Sequence, residues 1–323
     1  MSAPAPSTFV DVDGPVHVAD LGGPRDAPAL VCVHGLAGSH VAWRSMAREL
    51  SDRYRVLAID LPGHGRSPSA GRSAAVGDAA TTLARVLDEL RLPPVTLVGH
   101  SMGAAASVLA AATSPGAVER LVLLAPPLPR VGVARLPVSL LPHIALCLFP
   151  PAGRHALRLR LRRTGLVEHV EAGLRLTCGS VEGLAEIAAA RVEELEAAMA
   201  AGEDPVATFV EAARSVGLLV ARGTAYRRAL LAAPGDALVV HGAGDRVVPT
   251  DGGQALRDLR PRWRTEVLDD VGHSPHLEAP DVVAGLLHRF VAGTGRPAGR
   301  TLSTVATGAT GWRGEDAEGP LSA

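Results

Sequence analysis

The chain contains no lysine: all 32 basic residues are arginine, against 33 acidic ones, for a formal net charge of -1. Proteins that grip nucleic acid by neutralising phosphates carry a basic excess, and this chain has none. Aromatic residues are 3% of 323, too few for platforms on which bases or sugars stack. Cysteine occurs only at Cys32, Cys147 and Cys178. Odd in number and widely separated, these form neither a disulfide framework nor a CxxC metal knuckle, and they read as small buried hydrophobes. Residues 1–9 show no basic stretch followed by an apolar one, so no secretory signal is visible. The longest apolar segment, residues 131–149, is interrupted by Arg135, Pro137 and Pro142 and makes a poor membrane span. A cytoplasmic protein is expected, with no nucleic-acid partner, no cofactor and no metal.

Apolar residues are plentiful instead. The hydrophobic set is 47% of the chain, enough to bury a sizeable core. A leading antiparallel pair is expected over residues 8–12 and 16–21. Residues 29–33 form a continuous apolar run ending at His34-Gly35, the pattern of a buried parallel strand. Further strands are expected over 54–59, 95–98, 121–124, 237–240 and 263–268. Helices are expected over 41–50 (capped by Ser39), 75–90, 102–113, 251–259 and 281–291. Between Pro127 and Pro234 the pattern is helical, with an acidic, alanine-rich helix over 181–200. An insertion of that size should cover the carboxyl ends of the strands, where open sheets hold their sites. The domains are then a core of residues 1–126 and 235–293, a helical cap of 127–234, and a tail of 294–323 without periodicity or expected structure.

The chemistry-bearing signal lies after the 95–98 strand. Gly99-His100-Ser101-Met102-Gly103 is a G-x-S-x-G between a strand and a helix. A sharp turn there crowds backbone on backbone, so glycine is needed on both sides. It lifts the serine hydroxyl above the sheet beside a helix N-terminus. A serine hydroxyl needs a base, and the base needs a carboxylate to hold its tautomer. Asp245 follows the 237–240 strand and His273 follows the last expected strand. His276 competes as base but is further from the strand end. His34 and His100 flank site glycines and read as loop-orienting. Asp269 and Asp270 are too close in sequence to His273 to reach round its ring.

Five segments carry a resemblance: His34-Gly35-Leu36-Ala37-Gly38, Asp60-Leu61-Pro62-Gly63-His64-Gly65-Arg66-Ser67, Gly99 to Gly103, Gly242 to Pro249, and Gly272 to His276. Together, and in this order, they resemble the α/β-hydrolase fold family over residues 8–293, the variable cap excepted. The resemblance implies a mostly parallel eight-stranded sheet flanked by helices, with a helical cap inserted after the sixth strand. It implies Ser101 as nucleophile, His273 as base and Asp245 as orienting acid, with the backbone N–H groups of Leu36 and Met102 forming an oxyanion hole. A serine nucleophile disfavours the relatives that attack with aspartate. Ala125-Pro126 leaves empty the alternative acid position that some members use.

Weaker signals remain open. Trp43, Phe149 and Val247 are candidate substrate-binding residues; Trp43 would equally serve as the packed face of a helix. The apolar stretch 138–149 would line an acyl pocket, rest on lipid or form the cap's own core, and the cap should set substrate choice. Arg154, Arg158, Arg160, Arg162 and Arg163 would anchor an anion or form a solvated helix face. Trp312 has no reading. The expected activity is hydrolysis of a small or medium carboxylic ester, with an apolar acyl chain, through an acyl-enzyme. The same triad would also suit a carbon–carbon bond, a thioester, a lactone, acyl transfer or peracid formation. A binding protein that has lost turnover is disfavoured by the intact triad.

Overall fold

Runs of β-branched and aliphatic residues form the strands of one sheet. In the computed structural model, which describes residues 7–128, 149–248, 250, 252–293 and 303–305, these are β1 (Ser7–Asp11), β2 (Pro15–Asp20), β3 (Ala29–Val33), β4 (Arg55–Ile59), β5 (Val95–His100), β6 (Val118–Leu124), β7 (Ala237–Gly242) and β8 (Arg264–Leu268). Their order is β1-β2-β4-β3-β5-β6-β7-β8. The β1–β2 and β2–β4 pairs are antiparallel and the remaining pairs parallel, as expected for the fold class.

Two-residue periodicity divides the strand side chains between two cores. Val31, Val33, Ile59, Leu97, Leu121, Leu123 and Val239 face one side, and Leu30, Cys32, Val56, Val98, Val122, Leu124 and Val240 the other. On the first side pack α2 (Val76–Leu90) and α3 (Met102–Thr113), through Leu83, Leu87, Ala105 and Val108. On the second pack α1 (Arg44–Leu50) and a C-terminal helix over Pro280–Val291, through Met46, Leu50, Val283 and Leu287. Each fully buried aliphatic side chain contributes about 1.5–3 kcal/mol. Strands β5 and β7 are buried along their whole length and carry the two central turns of the site.

Local differences from expectation have physical causes. The helix expected over 41–50 begins with a 3-10 turn, His40–Trp43, because Ser39 Oγ takes the Val41 N–H (3.3 Å) and Asp60 Oδ1 takes the His40 N–H (2.6 Å). The helix expected from residue 181 begins at Ala185, since Gly183 before it has φ 77°. The segment 294–323, expected to lack structure, supplies three residues that do pair. Ser303–Val305 is a ninth strand, β9, parallel to β8. An open strand edge accepts such a partner, and a run of three is too short to show a period.

The insertion between β6 and β7 is helical in its described residues: α4 (Pro150–Thr177, bent at Gly165), α5 (Ala185–Ala200), α6 (Pro205–Arg222) and α7 (Thr224–Ala232). Asp204 caps α6, accepting the Ala207 N–H at 3.0 Å. Leu140, Leu141, Ile144, Leu146, Cys147, Leu148 and Trp312 lie outside the described residues. Of the arginine cluster, Arg158, Arg160, Arg162 and Arg163 are exposed on α4, and Arg158 pairs with Asp204. No helix among the described residues is long and apolar enough to cross a membrane.

Candidate active site

Ser101 occupies the turn between β5 and α3 with φ 50° and ψ -115°, a conformation that costs a non-glycine residue of the order of 1–3 kcal/mol. The flanking glycines make the turn possible. A Cβ on Gly103 would lie 2.3 Å from the Val33 carbonyl oxygen, and one on Gly99 would lie 2.6 Å from Ala104 Cα. The Ser101 N–H donates to Leu124 O at 2.9 Å, tying the turn to β6.

The loops after β7 and β8 bring the expected partners to this hydroxyl. His273 Nε2 is 2.9 Å from Ser101 Oγ, and His273 Nδ1 is 2.7 Å from Asp245 Oδ2. An ionised carboxylate only accepts, so Nδ1 carries the proton and Nε2 faces the serine as the acceptor. Asp245 Oδ1 accepts the Val247 and Val248 N–H groups at 2.7 and 2.8 Å, and Oδ2 lies 2.9 Å from His241 Nε2. Burial would raise the Asp245 pKa, but the hydrogen bonds from His241 and His273 outweigh it and hold the carboxyl well below its usual range.

The base loop is tied from three sides. His100 Nε2 donates to His273 O (2.9 Å), and the His273 N–H donates to Thr177 O of the insertion (2.7 Å). Glu278, in the short helix Pro275–Glu278, accepts from the N–H groups of Gly272 (3.0 Å), Ser274 (3.1 Å) and Gly179 (2.6 Å).

On the other side of Ser101 lies the His34–Gly38 loop. The Leu61 N–H donates to His34 Nε2 at 3.0 Å, so His34 Nδ1 bears the ring proton and donates to Gly35 O at 2.7 Å. The Gly38 N–H donates to the same oxygen at 3.0 Å. Gly35 C=O and Leu36 N–H belong to one planar trans peptide and point in opposite directions, so anchoring the carbonyl aims the amide. Burial pushes the His34 pKa down to about 3, which keeps the ring neutral and this tautomer in place. Gly35 packs so tightly on the Ser101 turn that a Cβ there would lie 2.6 Å from His100 Nδ1 and 3.2 Å from Ser101 Cβ. The Met102 N–H opens α3 and has no carbonyl one turn earlier to bond.

The weaker candidates part company. Trp43 is fully buried, its ring 4.6 Å from that of His276, so it packs in the core and presents nothing to a substrate. Phe149 is 68% exposed at the start of α4. Val247 is half-buried and adjoins Asp245. His276 lies buried against His100 as well as Trp43, with its pKa pushed down to about 3 by burial. Three contributors escape a reading of the sequence. His241 sits inside the β7 run and is taken for strand. Glu278 carries a signal only in the tight turn before it, whose N–H groups need an acceptor. Arg191, on α5, reaches the Ala37 carbonyl.

Among the described residues, one group has metal-ligand composition: His17, His40 and Asp60, all buried. Asp60 accepts from His17 Nδ1 (2.8 Å), His40 Nδ1 (2.9 Å), His40 N (2.6 Å) and Arg66 N (2.9 Å). Four protein donors satisfy the carboxylate, which makes it a knot between loops. Burial works to raise its pKa, yet the two rings hold it far below the usual carboxylate value.

These groups set a pH dependence of stability. Burial holds His34 and His276 near 3 and His64 near 4, below the value of about 6.5 for unfolded histidine. The unfolded chain therefore binds more protons than the folded one below about pH 6.5, and stability decreases as the pH is lowered through that range. Asp60 and Asp245, also depressed, add to the loss below about pH 4. Thermal unfolding should show Tm constant from pH 8 to 7 and falling from 6.5 to 4.5, by up to about 1.4 kcal/mol per pH unit for each proton taken up. A flat Tm down to pH 4.5 would contradict the buried neutral histidines.

A sequence model of the alpha/beta hydrolase fold matches residues 28–280. A pimeloyl-[acyl-carrier protein] methyl ester esterase of Methylococcus capsulatus is 30% identical over 270 residues, 82% of this chain and 95% of that protein. Among solved structures, a membrane phospholipase A described as a bacterial virulence factor superposes with TM-score 0.71 at 24% identity, covering 90% of this chain and 87% of the other. An esterase from Thermogutta terrifontis superposes with TM-score 0.66 at 22% identity, covering 90% and 99%. The two structural likenesses are of fold alone.

Proposed function

Because the chain belongs to the α/β-hydrolase fold family, we propose that it is a serine hydrolase of small or medium-sized carboxylic esters. The observation that carries this reading is the hydrogen-bonded line Ser101 Oγ, His273 Nε2, His273 Nδ1, Asp245 Oδ2, with steps of 2.9 and 2.7 Å. Ser101 attacks the ester carbonyl while His273 Nε2 takes its proton. Asp245 stabilises the imidazolium without itself being protonated, consistent with its depressed pKa. The Leu36 and Met102 amides stabilise the oxyanion. His273 then protonates the departing alcohol, leaving the acyl group on Ser101. Water, deprotonated by His273, attacks the acyl-enzyme and releases the acid. Esterase relatives, the methyl ester esterase above among them, support the ester over other bonds.

The cap, residues 127–234, sets acyl selectivity in this reading. An apolar wall contributes about 0.8 kcal/mol per methylene, close to fourfold in kcat/KM. Assay of p-nitrophenyl esters of increasing acyl length, with one thioester and one lactone, should show kcat/KM climbing a few-fold per methylene to a plateau. Turnover of the thioester or lactone alone would move the assignment to another bond. Turnover of none would remove the hydrolase reading.

The two neighbouring histidines give a sharp contrast. His273→Ala should lose turnover by several orders of magnitude. His276→Ala, which empties a core site beneath Trp43, should lower Tm but keep kcat within about tenfold. The reverse pattern would make His276 the base.

A further inference from the structure

Cap helix α5 buries one cation. Arg191 is 8% exposed, and its Nη2 donates to Ala37 O at 2.6 Å. Its Nη1 donates to Glu194 one turn along the helix. Glu194 Oε2 also accepts the Ser39 hydroxyl at 2.7 Å, and Oε1 lies 3.4 Å from His40 Nδ1. The pair therefore grips both ends of the segment from Ala37 to His40. Its first two residues belong to the turn Gly35–Gly38, closed by the Gly38 N–H to Gly35 O bond (3.0 Å), in which Ala37 has φ 54°. Alanine holds a positive φ only under constraint, and an arginine on its carbonyl supplies one. Leu36, whose amide faces the oxyanion in the proposed mechanism, is the residue just before it.

A buried ion pair is weak support for stability, since apolar side chains of equal volume often do as well. Its value here lies in direction. The guanidinium fork fixes the Ala37 carbonyl from the cap side, while His34 Nδ1 fixes the Gly35 carbonyl from the core side. The Leu36 peptide is held between them. The cap meets the base loop in the same way, through Thr177 O on the His273 N–H, and Arg246 Nη2 donates to Arg175 O at 3.1 Å.

We propose that Arg191, with Glu194, is a positioning residue for the oxyanion loop, so that the cap contributes to turnover as well as to substrate choice. This rests on the Ser101 hydrolase reading. Arg191 touches no reacting atom; it acts through the backbone of residues 36–38.

The test compares wild type, Arg191→Met, Arg191→Lys and the double variant Arg191→Met/Glu194→Gln, which leaves no unpaired buried charge if the single variant folds poorly. For each, kcat and KM for a p-nitrophenyl ester, the second-order rate of phosphonylation by a fluorophosphonate, and Tm are measured. A phosphonyl oxygen takes the oxyanion position, so both rates report on the loop. Loss of one oxyanion donor costs about 100- to 1000-fold, and a misaimed donor should cost less. The expectation for Arg191→Met and the double variant is a fall of about 10- to 100-fold in kcat and in phosphonylation rate, with KM within about twofold. Lysine, which reaches the Ala37 carbonyl with one donor, should recover part of both rates. Unchanged kcat and phosphonylation in a folded variant, or a change confined to KM, would overturn the positioning role alone. Absence of labelling and turnover in the wild type would overturn the hydrolase reading and this inference with it.

Discussion

Ser101→Ala is expected to lower kcat by about 10^4- to 10^6-fold while leaving Tm within about 2 °C of the wild type or above it. The triad acts as a unit, so removing the nucleophile costs nearly as much as removing all three members. The fold should survive because the Ser101 side chain is only half-buried and, among the described residues, its hydroxyl bonds only His273. Alanine also suffers the φ of 50° no more than serine does. Steady-state assay of a homogeneous sample, beside thermal unfolding, checks both halves. Retained turnover in a sample free of wild-type enzyme would remove the mechanism.

Gly103→Ala should have the largest effect on folding. The added Cβ would meet two main-chain oxygens, Val33 O at 2.3 Å and His34 O at 2.4 Å, and neither can swing aside as a side chain would. Relief requires α3 to separate from β3 at the centre of the sheet, breaking the packing of Ala104, Ala105 and Val108 on the strands. The expected cost exceeds about 3 kcal/mol, or roughly 5 °C in Tm for a domain of this size, with much of the protein insoluble. Gly173→Ala is the matching control. Among the described residues nothing lies within 4 Å of a Cβ placed there, and it sits inside α4, so the same change should be neutral or stabilising by up to about 1 kcal/mol. Equal Tm values for the two variants would contradict the close approach of α3 to β3.

Much of this arrangement is legible in the sequence, for a physical reason. Strands buried on both faces must be mostly apolar, so β3 and the first four residues of β7 appear as unbroken apolar runs and Val95–Val98 of β5 is interrupted only by Thr96. The residues that end them, His34-Gly35, Ser101 and Asp245, must then emerge together at one edge. Chain order and loop position narrow the histidines to His273. What is hidden is whatever depends on contacts between distant segments. Arg191 and Glu194 sit in an alanine-rich, acidic helix whose charges look solvated, and no periodicity marks the face that meets residues 37–40. Trp43 offers two readings because a strand-to-helix entry serves core and pocket alike; only the ring of His276 against it decides. His241 is masked by its own strand, and its contact with Asp245 depends on the turn of the chain at Gly242–Asp245. The strand at 303–305 is three residues long, too short to announce itself, and exists only because β8 leaves an edge to pair with.

The central claim is that Ser101, activated by His273, is a nucleophile. The most direct measurement is intact-mass and peptide mapping of the full chain after reaction with a fluorophosphonate. The account predicts one adduct per chain, on the peptide bearing Ser101, formed at least about 1000-fold more slowly in His273→Ala and absent in Ser101→Ala. An adduct on another residue, or none on folded wild-type protein, would contradict it.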